Sequence, residues 1–285
     1  MNYTPVIIIG AGRSGTNMLR DIITSIPSFE TWDCDEINPI WRYGNQNFPT
    51  DELKPENASP KIINYITGRF HKIHRQTGAE FIVEKTCANS LRLAYIYRIF
   101  PNAKYIIINR DGRDVVTSAM KRWTSSFDFK YTVKKLRYVP LIDLPFYISK
   151  FGFNRIKRIF SKTESLSFWG PVYRGLEEQV KKDSLMEVCA KQWQECTEST
   201  LRDIHLIPEQ NCFNINYEVF VKNPISEMTR LISFFKIDLS EDDKKELTKN
   251  VSSKSVGTYK KTFSNQETKT IINIIAPTLK KLGYE

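Results

Sequence analysis

Residues 6–23, VIIIGAGRSGTNMLRDII, decide the fold of this 285-residue chain. A run of β-branched residues leads directly into the glycine-rich turn GAGRSGT, and a pattern typical of a helix follows. A strand, a glycine-rich turn and a helix in this order are typical of a phosphate-binding loop, in which backbone amides and the helix N-terminus hold an anion. We therefore predict an α/β fold that begins with a P-loop-like unit.

This loop lacks the lysine of nucleotide triphosphatases. Their motif is G-x-x-x-x-G-K-[ST]; here Gly10 and Gly15 keep the glycine spacing, but Thr16 stands at the lysine position. Arg13 supplies a cation earlier in the loop and can clamp an anion with two N–H groups. The same glycines nearly fit the dinucleotide fingerprint G-x-G-x-x-G, but the acidic residue expected about 20 positions later is missing. Magnesium chemistry thus loses one of its usual supports.

The rest of the chain alternates between patterns of strands and helices. Further strands are predicted in EFIVEKT (80–86), PNAKYIIINRD (101–111) and NCFNINYEVF (211–220). FETWDCDEI (29–37) is predicted to be extended, and residues 44–60 to be a surface loop. Strands that alternate with helices predict a central parallel sheet flanked by helices, in a single domain over residues 1–285.

Residues 124–182 depart from this alternation and are predicted to form a basic, aromatic, helical insertion that caps the site. The net charge of the chain is +10, which favours an anionic partner. Basic residues interleaved with aromatics suit a polyanionic sugar, a glycolipid head group or a membrane surface. An ordinary solvated face over a small core is the alternative. No nucleic-acid partner is predicted, because no motif for one accompanies the patch.

A second candidate phosphate site follows the strand that ends near residue 109. Arg110 stands at the end of this strand, where ligands gather in parallel sheets, and Ser118 lies eight residues later in the next helix. Both side chains could converge on one phosphate group. Taken alone, an arginine at this position is equally compatible with a surface ion pair.

Taken together, the two sites resemble those of sulfotransferases that use 3′-phosphoadenosine 5′-phosphosulfate (PAPS). Residues 13–17 match the family's [KR]-S-G-T-[TN], and residues 110–118 match its R-x₇-S. NYEVFVKNP (216–224) resembles Y-E-D-L-x-x-[DN]-P, and SVGTYKK (255–261) resembles S-x-G-x-W-[KR]. The similarity is closest to bacterial, tyrosylprotein and carbohydrate sulfotransferases.

The resemblance implies a site for the donor PAPS and no metal. It assigns the 5′-phosphosulfate to the first loop, the 3′-phosphate to Arg110 and Ser118, and the adenine to Tyr217. It also assigns a donor-binding role to the C-terminal segment, although a tyrosine stands where tryptophan is usual. The implied residues of the first loop are Arg13, Ser14, Gly15, Thr16 and Asn17, and those of the C-terminal segment are Gly257, Tyr259 and Lys260.

The resemblance also implies the catalytic groups. Lys85 in VEKT is the candidate cation beside the transferred group, with Arg13 supporting it, although Cys87 stands where the family's [DN]-K-x-P has proline. A base must take the proton of the acceptor hydroxyl, and the chain offers Glu36 and Glu84. A glutamate at the location of Glu36 is the base in many members, so Glu36 is our first candidate.

The predicted function is an enzyme that moves a sulfuryl group by in-line transfer from PAPS to a hydroxyl of a carbohydrate or glycolipid. A P-loop kinase-like phosphotransferase and a non-catalytic nucleotide-binding protein are the alternatives. No signal peptide and no apolar stretch of ~20 residues is visible, so a cytoplasmic location is expected, with peripheral membrane contact through the basic insertion.

Overall fold

The computed structural model describes residues 2–124, 137–140 and 169–284. Its centre is a parallel sheet of five strands in the order β2-β3-β1-β4-β5. The predicted α/β fold with a central parallel sheet is confirmed. The strands are β1 (Thr4–Ile9), β2 (Phe29–Glu30), β3 (Phe81–Lys85), β4 (Lys104–Asn109) and β5 (Cys212–Asn216).

Helices cover both faces of this sheet within the described residues. Several of the longer ones begin at a serine whose hydroxyl accepts a bond from a first-turn amide, which fixes where the helix starts. In chain order the helices are α1 (Thr16–Ile23), α2 (Asn38–Trp41), α3 (Pro60–Thr77), α4 (Leu93–Ile99), α5 (Gly112–Trp123), α6 (Leu176–Lys182), α7 (Leu185–Asp203), α8 (Tyr217–Lys222), α9 (Pro224–Phe235), α10 (Glu241–Thr248), α11 (Tyr259–Thr262) and α12 (Asn265–Lys281).

The central strands are apolar throughout because both of their faces are buried. On β1, Ile7 and Ile9 pack into a core that contains Trp41 and Phe70. The alternate residues of β1 pack on the other face with residues of α1 and α9. A third cluster joins α5, α7 and α12 beside the sheet. The carboxyl ends of β1, β3 and β4 therefore meet at one edge, held rigidly from both sides.

Three local predictions were only partly right. The extended piece after α1 contributes only Phe29–Glu30 to the sheet. The predicted strand at 211–220 ends at Asn216, whose side chain accepts a bond from the Val219 amide and starts helix α8. The segment 44–60 is not wholly at the surface, because Asp51 is buried and pairs with Arg42.

Most of the predicted insertion at about 124–182 lies outside the described residues, so its helical cap stays a prediction. Its end is described from Trp169 onward and reaches the edge of the sheet where the central strands end. Among the described residues, no helix combines the length and apolarity that crossing a bilayer requires.

Candidate active site

The glycine-rich turn connects the end of β1 to α1 and adopts a conformation that favours glycine. Arg13 and Gly15 both have positive φ values, 73° and 95°. A Cβ on Gly15 would also lie 2.6 Å from a ring carbon of Tyr217. Only glycine satisfies both conditions at low cost, because other residues are strained at positive φ and would clash with the tyrosine. The turn is therefore shaped jointly by β1 and by the residue that follows β5.

A cavity of about 780 Å³ opens in front of this turn, at the carboxyl ends of the central strands. Most of the residues singled out from the sequence line it, and they come from both halves of the chain. The lining residues are Arg13, Gly15, Thr16, Asn17, Met18, Asp35, Glu36, Asn38, Lys85, Cys87, Ala88, Arg110, Ser118, Arg122, Trp169, Gly170, Pro171, Tyr217 and Ser255. The predicted residue Ser14 is buried in the turn beneath them.

Arg110 is held at the end of β4 by two carbonyl groups. Its two terminal nitrogens donate to the backbone oxygens of Arg13 (3.0 Å) and Ser255 (2.7 Å), and its guanidinium lies 4.2 Å from the ring centre of Tyr217. The buried Nε has no hydrogen-bond partner among the described residues. A buried N–H without a partner is costly, so an anion in the cavity would satisfy it.

Arg13 and Ser118 meet across the cavity. The Nε of Arg13 donates to the hydroxyl of Ser118 at 3.0 Å, which links the first loop to α5. Burial, together with the nearby charges of Arg122 and Arg110, lowers the pKa of Arg13. Three guanidinium groups thus border one cavity, an arrangement that attracts a ligand with several negative charges.

Glu36 and Lys85 form an ion pair in the wall of the same cavity. Lys85 Nζ lies 3.2 Å from Glu36 Oε1, and the backbone amide of Cys87 donates to the same oxygen at 3.3 Å. Burial opposes the charge of Lys85, but Glu36 outweighs it and raises the lysine pKa. Burial raises the pKa of the Cys87 thiol to about 12, so this thiol is neutral at physiological pH. Because residue 87 is not proline, its N–H is available to the carboxylate.

Glu84, the other candidate base, does not line the cavity. Its carboxylate is buried and accepts bonds from Thr86 Oγ1 at 2.5 Å and Asn89 Nδ2 at 2.7 Å. Thr86 Oγ1 in turn accepts a bond from the Ile37 amide at 3.2 Å, next to Glu36. Burial raises the pKa of Glu84 to about 7. The two glutamates therefore have separate positions: Glu36 faces the cavity and Glu84 supports the wall behind it.

We expect Glu84→Gln to change how stability depends on pH. The raised pKa means that the folded state binds the proton more tightly than the unfolded state, whose value is near 4.5. This contribution is complete below about pH 4.5 and is lost as pH rises to about 7, by about 3 kcal/mol in total. The wild type should therefore lose stability relative to Glu84→Gln across this interval, in urea unfolding at several pH values. A constant difference between the two proteins would contradict the assignment.

The donor-binding roles that the resemblance implies for Gly257, Tyr259 and Lys260 stay predictions. None of the three lines the cavity, whereas their neighbour Ser255 does. The backbone amides of Gly257 and Tyr259 donate to the carboxylate of Asp114 on α5, at 2.6 and 3.0 Å. The cation of Lys260 lies 5.9 Å from the ring centre of Tyr259. The turn is thus anchored to α5 through its backbone amides.

Other lining residues were not singled out from the sequence. Asn38 lies between Arg92 and Asp51, accepting from the first at 2.6 Å and donating to the second at 3.2 Å. Arg122 lies one helical turn after Ser118, a spacing that could have pointed to it. The wall Trp169–Pro171 is fixed by Gln192 Nε2, which donates to the carbonyls of Trp169 and Pro171 at 3.0 Å each. Its sequence signal is the short WGP element.

No group of three or more His, Cys, Asp or Glu side chains that could hold a metal ion occurs in residues 2–124, 137–140 and 169–284.

The known proteins that this chain resembles in sequence and in structure are sulfotransferases. The model of the Sulfotransferase family matches residues 5–141. Protein-tyrosine sulfotransferase A of Caenorhabditis elegans is 21% identical over 252 residues, which cover 85% of this chain and 52% of that protein. This chain spans about half the length of the curated relatives that it matches.

Solved structures show the same fold. The sulfotransferase domain from the curacin biosynthetic pathway has a TM-score of 0.57 at 14% identity, covering 99% of this chain and 98% of that domain. A mouse sulfotransferase complexed with PAP has a TM-score of 0.50 at 11% identity, covering 97% and 85%. These findings confirm the resemblance to the sulfotransferases, a family of transferase enzymes, that was inferred from the sequence.

Proposed function

We propose that this sulfotransferase-family chain moves a sulfuryl group from PAPS to a hydroxyl group of an acceptor. The observation that carries the proposal is the cavity itself. It combines a loop of the phosphate-binding type and three arginines with the Glu36–Lys85 pair. Binding a polyanionic donor and removing a proton from a hydroxyl are the two tasks that sulfuryl transfer requires.

The residues of the cavity fit PAPS. The amides at the start of α1 and the guanidinium of Arg13 would hold the 5′-phosphosulfate. Ser118 and the unpartnered Nε of Arg110 would hold the 3′-phosphate. The ring of Tyr217 lies beside the guanidinium of Arg110 and would contact the adenine. A solved structure of similar fold is complexed with PAP, which we take to be adenosine 3′,5′-bisphosphate.

Lys85 and Glu36 would serve the reaction. PAPS supplies the sulfuryl group, whose bond to a 5′-phosphate oxygen breaks while a bond to the acceptor oxygen forms. The acceptor proton passes to Glu36, and Lys85 stabilises negative charge that develops on the oxygens around sulfur. Because transfer of this kind passes through a loose transition state, positioning and charge stabilisation provide most of the catalysis.

We propose both the reacting group of the acceptor and the class of molecule that carries it. A hydroxyl acceptor follows from the family, and a carbohydrate or glycolipid is the class that the basic, aromatic insertion favours. A tyrosine hydroxyl in a protein is a second candidate, favoured by the curated relatives named protein-tyrosine sulfotransferases. The experiment offers ³⁵S-labelled PAPS with a panel of tyrosine peptides, oligosaccharides and glycolipid micelles. The acceptor that becomes labelled decides between the two candidates. The cytoplasmic location and the membrane contact remain predictions.

Thermal stabilisation tests the donor site. At 100 times its dissociation constant a ligand stabilises the folded state by about 2.7 kcal/mol, which raises the Tm of a domain of this size by roughly 5–10 °C. We expect this shift with adenosine 3′,5′-bisphosphate and a much smaller one with ATP and magnesium. A larger shift with ATP and magnesium would favour a kinase-like phosphotransferase instead. Binding of the bisphosphate without transfer to any acceptor of the panel would favour a non-catalytic nucleotide-binding protein.

A further inference from the structure

A buried carboxylate on α5 connects the helix to the C-terminal turn that borders the cavity. Asp114 lies in the first turn of α5 and is 1% exposed. Its Oδ2 accepts a bond from the Gly257 amide at 2.6 Å, and its Oδ1 accepts bonds from the Tyr259 amide at 3.0 Å and the Thr258 hydroxyl at 3.1 Å. All three donors belong to one turn, so this single carboxylate fixes its position.

The same turn supplies two contacts to the walls of the cavity. The carbonyl of Ser255 accepts from Arg110 at 2.7 Å, and its hydroxyl lies 2.6 Å from the hydroxyl of Tyr217. Arg110 and Tyr217 both line the cavity, and neither has a direct hydrogen bond to Asp114. Asp114 thus contacts Arg110 and Tyr217 only indirectly, through Ser255 and its turn.

The other acidic residue at the start of α5 has a different task. Asp111 caps the helix by accepting from the Arg113 amide at 2.9 Å, and it forms an ion pair with the Arg113 side chain. A first-turn acidic residue is favourable on any helix because of the helix dipole. Asp114 does more than this, because its oxygens accept hydrogen bonds from amides that lie 143 and 145 residues away in sequence.

We propose that Asp114 is a positioning residue for the donor site, which holds Ser255 so that Arg110 presents its free Nε to the 3′-phosphate. This inference rests on the proposed function. Hydrogen bonds to a charged acceptor are stronger than neutral ones, so a neutral side chain at position 114 would loosen the turn. Arg110 would then lose a fixed acceptor, and its side chain would sample other orientations.

The test is calorimetric binding of two ligands to the full chain. In Asp114→Asn we expect the Kd of adenosine 3′,5′-bisphosphate to rise about tenfold, the size of effect that one weakened charged hydrogen bond produces. The Kd of adenosine 5′-monophosphate, measured by competition, should change less than about twofold, since it lacks the 3′-phosphate. Asp111→Asn is the matched control: asparagine also caps a helix, so the Kd values of both ligands should equal those of the wild type.

The outcomes are distinguishable. Wild-type affinity for the bisphosphate in Asp114→Asn would overturn the inference, and so would an equal loss for both ligands, which indicates a purely structural role. A wild-type chain that does not bind the bisphosphate would overturn the proposed function itself. If Asp114→Asn does not fold, Thr258→Val is the second variant, because it removes the hydroxyl that donates one of the three hydrogen bonds to Asp114. We expect it to raise the Kd of the bisphosphate about threefold. An unchanged Kd in Thr258→Val would also contradict the inference.

Discussion

We expect Glu36→Gln to lower the turnover of sulfuryl transfer by about 10²-fold or more, the usual scale for loss of a general base. The substitution keeps an oxygen for the Cys87 amide and for Lys85, so the loop should hold its shape. It removes the capacity to accept a proton. Adenosine 3′,5′-bisphosphate should therefore bind Glu36→Gln as well as the wild type. Turnover is measured with ³⁵S-labelled PAPS and the best acceptor of the panel.

Asp35→Asn is the matched control for this variant. Asp35 also lines the cavity, but its carboxylate lies 3.1 Å from Arg20 and belongs to that ion pair. It should retain turnover within about threefold of the wild type, the effect expected of a partly exposed ion pair. If Asp35→Asn or Glu84→Gln lost 10²-fold while Glu36→Gln stayed active, Glu36 would not be the base.

We expect Lys85→Met to lower turnover by about 10²- to 10³-fold, as loss of one preorganised electrostatic contact does in other enzymes. Lys85 is 3% exposed and paired with Glu36, so its charge acts at short range and with little screening by water. Methionine fills a similar volume without the charge. Negative charge on the oxygens around sulfur would then have no ammonium group beside it.

The affinity for adenosine 3′,5′-bisphosphate distinguishes a catalytic role of Lys85 from a role in donor binding. This molecule is the product that remains when PAPS has lost its sulfuryl group. Its Kd should change by less than about threefold in Lys85→Met, since the arginines proposed to hold the phosphates are intact. Lys121→Met, on the exposed side of α5, removes the same charge and should leave both turnover and Kd unchanged. A loss of bisphosphate affinity as large as the loss of turnover would contradict the role proposed for Lys85.

The sheet could be predicted from the sequence because its central strands are buried on both faces. Such strands are continuous apolar runs, and VIIIG and YIIIN are two of them. One error fell where a capping residue decides. Asn216 turns a strand pattern into the start of α8. This signal is local and present in the sequence, but it carries little hydrophobic periodicity.

The candidate site could be predicted where motifs mark the ends of strands. The residues of the first loop, together with Arg110, Ser118 and Tyr217, lie around one cavity, and so do Glu36 and Lys85. Their roles stay proposals. Asn38 could not be found in this way, because its place depends on buried contacts with Arg92 and Asp51.

The segment that the family model matches is shorter than the part of the chain that builds the cavity. The family match ends at residue 141, yet Gly15 packs against Tyr217 and Arg110 donates to Ser255. A fragment that stopped at the end of the match would lack these partners and would expose the edge of β4 where β5 pairs. In descendants of this protein, position 15 should accordingly stay glycine even where the residue at position 217 becomes smaller, because the positive φ strains any other residue.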